Sequence, residues 1–90
     1  MKLPISCPSC QNKLQVKTLQ CGNCQTKVEG DFKLPLLAAL PEDTQQFIIE
    51  FVKNSGSLKE MSKALSLSYP TVRNRLDEII NNLKTIENEK

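Results

Sequence analysis

The sequence predicts a small α+β protein in which a β module that carries every cysteine precedes an all-α module of three helices. Three observations support this prediction. Four cysteines form two Cys-x-x-Cys pairs within the first 24 residues, and the other 66 residues contain none. Apolar and polar residues alternate over residues 28–32, as they do in a strand. From residue 47 onward, apolar residues recur at helical spacing in stretches that glycine, serine and proline separate.

The two cysteine pairs, Cys7 with Cys10 and Cys21 with Cys24, supply the four thiolates that a tetrahedral metal ion requires. The chain contains no histidine, so this site consists of cysteines alone and leaves no open coordination position. A closed site of this kind has a structural role. Thiolates suit both zinc and iron. We expect one structural Zn²⁺ per chain, because nothing in the sequence indicates electron transfer.

Structural disulfides and a thiol switch are the alternative interpretations of four cysteines. The first 24 residues contain no apolar run of the kind that a signal peptide needs, so we expect a cytoplasmic protein with reduced thiols. No apolar stretch approaches the roughly 20 residues of a membrane span, and we expect no membrane partner. Reduced, paired cysteines favour a metal site over disulfides.

Residues 1–33 are expected to form a zinc ribbon. A short strand is predicted at residues 14–16, a reversal of the chain near Lys17–Thr18, and a further strand at residues 28–32. Gly22 is expected to allow a tight turn at the second cysteine pair. The ribbon either serves only to fold this segment or also docks a protein or nucleic acid. Four lysines are available for such docking: Lys13, Lys17, Lys27 and Lys33.

Residues 34–40 form the predicted linker, which carries four leucines and no charge. Pro35 ends any preceding strand and favours a short helical turn. We expect the leucines to pack between the two modules, and the alternative is an apolar patch that binds a partner.

Residues 41–90 are predicted to form a helical domain. Pro41 opens the first helix, and Glu42 and Asp43 follow it at the positive end of the helix. Gly56 ends this helix. Leu40 precedes the proline at the position where a serine or a similar cap is expected.

Two further helices follow a capping box, in which Ser57 precedes Glu60 by three residues. The second helix is short and ends near Leu65. Ser68 then caps the third helix, which has Pro70 in its first turn. A helix-turn-helix consists of two helices joined by a short turn, and here a preceding helix completes its core.

The start of the third helix is the predicted DNA-binding surface, because the second helix of such a pair enters the major groove. Arginine can bind guanine, asparagine can bind adenine, and hydroxyl groups can reach phosphate. Residues 55–76 hold four basic residues and one acidic residue in a chain of net charge +2. The candidate contacts are Ser68, Tyr69, Thr71, Arg73, Asn74 and Arg75, with Lys59 and Lys63 on the preceding helix. A bundle whose polar face is only solvated is the alternative.

The third helix continues beyond the length that a small bundle needs. Its apolar residues keep a repeat of about 3.5 residues, which is typical of a coiled-coil seam. Ile80, Leu83 and Ile86 are therefore candidates for a homodimer contact.

Five segments together resemble a bacterial family of small proteins that join an N-terminal zinc ribbon to a C-terminal helix-turn-helix. These segments are Cys7–Cys10, Cys21–Cys24, Val28–Phe32, Leu40–Asp43 and Ser68–Asp77. The last one is also similar to the recognition helices of Fis-like and sigma-factor-like regulators. The resemblance implies a transcription regulator.

We therefore predict a protein that binds specific sequences of double-stranded DNA. The alternative is an adaptor that binds RNA polymerase, a sigma factor or another protein. We do not expect the protein to be an enzyme, because the chain has no histidine, no open metal position and no nucleophile–base pair.

Overall fold

The computed structural model describes residues 3–88 and divides the chain into two compact units between Ala39 and Leu40. Most of the predicted linker thus belongs to the first unit. It includes a 3₁₀ helix, Leu37–Ala39, in which the N–H of Ala39 donates to the carbonyl of Pro35 at 3.1 Å. This is the short turn expected after the proline. Leu40 belongs to the second unit and is only 1% exposed.

The first unit contains an antiparallel sheet of two strands, β1 (Val16–Gln20) and β2 (Lys27–Phe32). Strand β2 confirms the strand predicted at residues 28–32. The reversal predicted near Lys17–Thr18 is wrong, because both residues lie within β1, whose pairing with β2 only shifts register between Val16 and Thr18. β-branched residues favour extended backbone, and the segment has no glycine or asparagine to form a tight hairpin turn.

The second unit consists of three helices, α1 (Glu42–Lys53), α2 (Leu58–Leu65) and α3 (Tyr69–Asn88). All three predicted helices are confirmed. Pro41 is the N-cap of α1, one position before the first helical residue at which it was expected. It caps α1 without a side-chain hydrogen bond.

Local signals fix the ends of α1 and α2. Gly56 follows α1 with a φ of 74°, a conformation that glycine adopts without steric cost. The hydroxyl of Ser57 then accepts a hydrogen bond from the N–H of Glu60 at 3.2 Å, as the capping box predicts. Ser66 closes α2 in the left-handed conformation, with a φ of 56°.

All three helices contribute to the core of the second unit. Its buried members are Phe47 from α1, Met61 from α2, and Val72 and Ile79 from α3. Half-buried apolar residues pack around them, namely Ile48, Phe51, Leu58, Leu65, Leu76 and Leu83. None of the helices within residues 3–88 combines the length and the apolar character needed to cross a membrane.

Candidate metal centre and nucleic-acid interface

The first cysteine turn is closed by two backbone hydrogen bonds. The N–H of Cys7 donates to the carbonyl of Asn12 at 2.8 Å, and the N–H of Gln11 donates to the carbonyl of Cys7 at 2.9 Å. The N–H of Ser9 lies 3.3 Å from the sulfur of Cys7. Hydrogen bonds from the backbone of Cys10 and Ser9, and from the Cys10 side chain, hold the pKa of the Cys7 thiol below its ordinary value. They stabilise the thiolate, which is the form that binds metals.

The second cysteine turn repeats this backbone arrangement. The N–H of Cys21 donates to the carbonyl of Thr26 at 2.8 Å, and the N–H of Gln25 donates to the carbonyl of Cys21 at 3.0 Å. The N–H groups of Asn23 and Cys24 lie 3.4 and 3.5 Å from the sulfur of Cys21. Hydrogen bonds from the Thr26 hydroxyl, then from its backbone, and from the Cys21 side chain lower the pKa of the Cys24 thiol.

A glutamine in the left-handed conformation closes each turn. Gln11 has a φ of 66° and Gln25 a φ of 67°. The expectation that Gly22 permits the tight turn is wrong. Its φ is not in the left-handed region, and a Cβ added there would meet nothing within 4 Å. Glutamine is not enriched in left-handed backbone, so the residue type does not predict this conformation. The one signal in the sequence is that the pattern Cys-x-x-Cys-Gln occurs twice.

The four thiols are chemically suited to a soft tetrahedral ion, and all of them are free of disulfide bonds. They are not gathered at one point. Within residues 3–88, no group of three or more Cys, His, Asp or Glu side chains is close enough together to hold a metal ion. Strand β1 extends between the two turns, where the sequence analysis expected the chain to double back. The four thiols fit zinc by their chemistry, whereas the structure forms the two halves of the site as separate turns.

The ribbon sheet exposes apolar side chains. Leu19 and Val28 lie directly opposite each other on the two strands and are 54% and 52% exposed. Phe32 is 40% exposed, and its ring packs against Gly30, where an added Cβ would lie 2.7 Å from the ring. Lys17 forms an exposed ion pair with Asp31 at 3.6 Å.

The predicted DNA-binding surface begins with the cap of α3. The hydroxyl of Ser68 accepts a hydrogen bond from the N–H of Thr71 at 3.3 Å, and the two hydroxyl groups lie 2.7 Å apart. The N–H of Val72 also donates to the Ser68 carbonyl, at 3.1 Å. Both polar side chains that were predicted to face DNA here are thus engaged in starting the helix.

The residues after this cap differ in exposure. Tyr69 is 51% exposed, and Arg73 and Asn74 are exposed as well. Arg73 forms an ion pair at 3.5 Å with Asp77, one turn further along the same helix. On α2, Lys59 is exposed, and Lys63 lies 3.8 Å from the carboxylate of Glu60.

Arg75 contacts another helix, whereas the ion pair of Arg73 lies within α3. Its guanidinium is 3.4 Å from the carboxylate of Asp43 on α1 and 5.5 Å from the centre of the Phe47 ring. The side chain is 39% exposed. Neither partner was predicted from the sequence, where Asp43 is recognisable only as an acidic residue at the positive end of α1.

The candidate dimer residues are all half-buried within the chain itself. Leu83 packs against the core of the second unit, which accounts for its burial. Ile80 and Ile86 lie outside that packing.

Two family models match the chain. Residues 7–38 match the model described as DUF2089 zinc ribbon, and residues 40–86 match the model described as Domain of unknown function (DUF2089)-HTH. The second match alone covers more than half of the 90 residues. The chain belongs to the DUF2089 family. The predicted resemblance and the predicted order of zinc ribbon and helix-turn-helix are confirmed. No curated protein and no solved structure matches the chain.

Proposed function

We propose that this member of the DUF2089 family is a bacterial, cytoplasmic transcription regulator that binds double-stranded DNA through the first turns of α3. The exposure of Tyr69, Arg73 and Asn74 directly after the Ser68 cap carries this proposal. In a helix-turn-helix, the N-terminal residues of the second helix meet the base edges of the major groove. Arginine and asparagine are the side chains best suited to guanine and adenine, and tyrosine can bind phosphate.

Helix α2 would contribute contacts to the DNA backbone through Lys59 and Lys63. The ion pair of Lys63 with Glu60 is exposed and joins residues three apart on one helix. Such pairs contribute little free energy, so a phosphate group can displace the carboxylate. The proposal assigns no catalytic activity to the protein.

The ribbon would bind one structural zinc ion per chain through Cys7, Cys10, Cys21 and Cys24. Zinc supplies the cross-link that a segment of this size cannot obtain from its own apolar side chains. The support for this assignment is the pair of matching turns, in which one N–H group is directed at the sulfur of Cys7 and two at the sulfur of Cys21. Because the pairs are separate, binding the ion would couple to a rearrangement of the segment between them.

We also propose a homodimer in which Ile80, Leu83 and Ile86 contribute to the contact. Ile80 and Ile86 are apolar and half-buried, lie in the second half of α3, and are not among the described residues that pack against the buried core. A dimer would present two recognition helices and would set the spacing between two DNA half-sites.

The direct test is the binding of zinc-loaded protein to a labelled random-sequence duplex, measured at two salt concentrations. We expect a Kd tighter than about 0.1 mM at low salt, which weakens steeply as salt increases. Weaker binding at low salt would contradict the proposal.

Asn74→Ala is expected to weaken binding to a sequence enriched by the wild type, and Asn81→Ala is the matched control. Asn81 is also exposed and lies seven residues, about two helical turns, further along the same face of α3.

An adaptor that binds RNA polymerase or a sigma factor is the second candidate function. The exposed pair Leu19 and Val28 on the ribbon sheet favours it, because protein interfaces bury such residues. Titration with purified RNA polymerase, with and without its sigma factor, separates the two functions. Polymerase binding that Leu19→Lys removes, together with no affinity for duplex DNA, would favour the adaptor.

A further inference from the structure

We infer that Arg75 is a positioning residue, which holds α3 against α1 and leaves the reading of bases to Arg73 and Asn74. This inference rests on the proposed binding of DNA. It separates two arginines that lie two residues apart and that were both predicted to face DNA, with Arg75 expected to be among the residues that read bases.

The contacts of Arg75 join two helices. Its guanidinium pairs with Asp43, in the first turn of α1, and lies over the ring of Phe47, one turn further along that helix. A distance of 5.5 Å from guanidinium to ring centre is within the range of a cation–π interaction. Phe47 is only 4% exposed and belongs to the core. One side chain of α3 therefore holds two successive turns of α1.

Arg73 offers a contrast within the same helix. Its ion pair with Asp77 lies entirely on α3, so releasing it changes no packing between helices. Its side chain is 53% exposed, against 39% for Arg75. Arg73 can turn toward DNA at little cost, whereas Arg75 would have to give up its carboxylate and uncover an aromatic ring of the core.

The first turns of α3 are the part that enters the groove, and a contact that fixes the orientation of α3 relative to α1 lowers the entropy lost when the helix is ordered on DNA. The inferred role of Arg75 is to maintain that orientation. Its loss should therefore weaken DNA binding without changing which bases are preferred.

The first experiment is a charge exchange between the two helices. Affinity is measured on a duplex that the wild-type protein enriches from a random-sequence library. Arg75→Asp is expected to weaken binding about tenfold, because α3 loses the contacts that fix it against α1 and must be ordered when it binds DNA. Combining it with Asp43→Arg restores the ion pair and the net charge, and we expect affinity to return to within about threefold of wild type. If Arg75 contacts DNA, the double variant stays as weak as Arg75→Asp, and the inference is overturned.

The matched control is the same exchange at the other arginine, Arg73→Asp with Asp77→Arg. It also preserves net charge and rebuilds an ion pair, this time within α3. We expect no recovery of affinity here, because the proposed contact between the guanidinium of Arg73 and a base is lost and an arginine at position 77 does not replace it. Recovery at both positions would mean that neither arginine reads bases, which contradicts the assignment to Arg73.

A second variant covers the case in which the exchange impairs folding. Arg75→Met keeps an unbranched stem over Phe47 and removes the charge. Sequences enriched by this variant are expected to match those of the wild type, with weaker affinity and a salt dependence that is unchanged. A changed preference at one base pair, or a salt slope smaller by about 0.9, would identify a direct contact and overturn the inference. If the wild type enriches no sequence and shows no affinity for duplex DNA, the proposed function itself fails. That outcome differs from the one that overturns only the inference, in which the wild type binds DNA but the Arg75→Asp, Asp43→Arg double variant does not regain affinity.

Discussion

The hydroxyl of Ser68 lies 2.7 Å from the hydroxyl of Thr71, so two side chains of the predicted DNA-binding surface are hydrogen-bonded to each other. This pair closes the N-terminus of α3 at the point where DNA contacts are expected to begin. The stability of the helix start and the proposed affinity for DNA are therefore expected to depend on the same segment, and substitutions can separate the two effects.

Ser68→Ala should lower the free energy of unfolding by about 1 kcal/mol, because it removes the N-cap of α3. Ser68→Asp should keep the cap, since aspartate accepts the same hydrogen bond, while its negative charge repels the DNA phosphates. Urea unfolding and duplex titration measure the two effects separately. Loss of stability in both variants would show that the serine hydroxyl does more than cap the helix.

Met61→Ala should destabilise the helical unit by about 2–5 kcal/mol, the range for removing a large buried side chain from a core. Met61 is fully buried. Val52→Ala on α1 is the control, because Val52 is 70% exposed, and we expect it to change stability by no more than about 0.5 kcal/mol. Thermal unfolding followed by circular dichroism at 222 nm is the measurement. Equal effects of the two substitutions would contradict the assigned core.

Removing zinc should unfold the ribbon and leave the helices intact, because the two units are separately compact. Freshly purified protein should contain one zinc per chain, and Cys21→Ser with Cys24→Ser should abolish this content. Metal analysis and circular dichroism before and after chelation provide the measurements. Helix loss that parallels zinc loss would show that the units depend on each other, and absence of zinc would refute the metal site.

Gln11→Gly and Gln25→Gly should each strengthen zinc binding, since glycine adopts the left-handed conformation that costs other residues about 1 kcal/mol. Gly22→Ala is the control, and it should have little effect because an added Cβ would meet nothing nearby. Competition with a chelator of known affinity measures the change. Weaker zinc binding in both glycine variants would mean that the glutamine side chains themselves support the turns.

Local signals explain why the helical part could be predicted from the sequence. The capping box at Ser57, the stop at Gly56 and the proline at position 70 each act within one turn of the chain, and the apolar spacing identifies the core face. The resulting helices, including the short turn at Ser66, match the prediction closely.

The features that the sequence did not reveal depend on backbone conformation or on distant partners. The reversal at Lys17–Thr18 was inferred from where four sulfurs must meet, whereas the chain turns within each cysteine pair instead. The ion pair of Arg75 with Asp43 joins residues 32 positions apart, and only the packing of α1 and α3 brings them together. Neither the left-handed glutamines nor this pair has a signature in residue type alone.

The two cysteine turns have a consequence for how the ribbon assembles. Each is closed by its own pair of backbone hydrogen bonds, and the two sets of bonds are equivalent. Neither turn needs the other in order to form. If zinc binds as proposed, we therefore expect that either pair of thiols could bind the ion first and that the other pair would complete the coordination. The proposed site would then have two routes of assembly, and we expect a substitution that slows one of them to leave the other available.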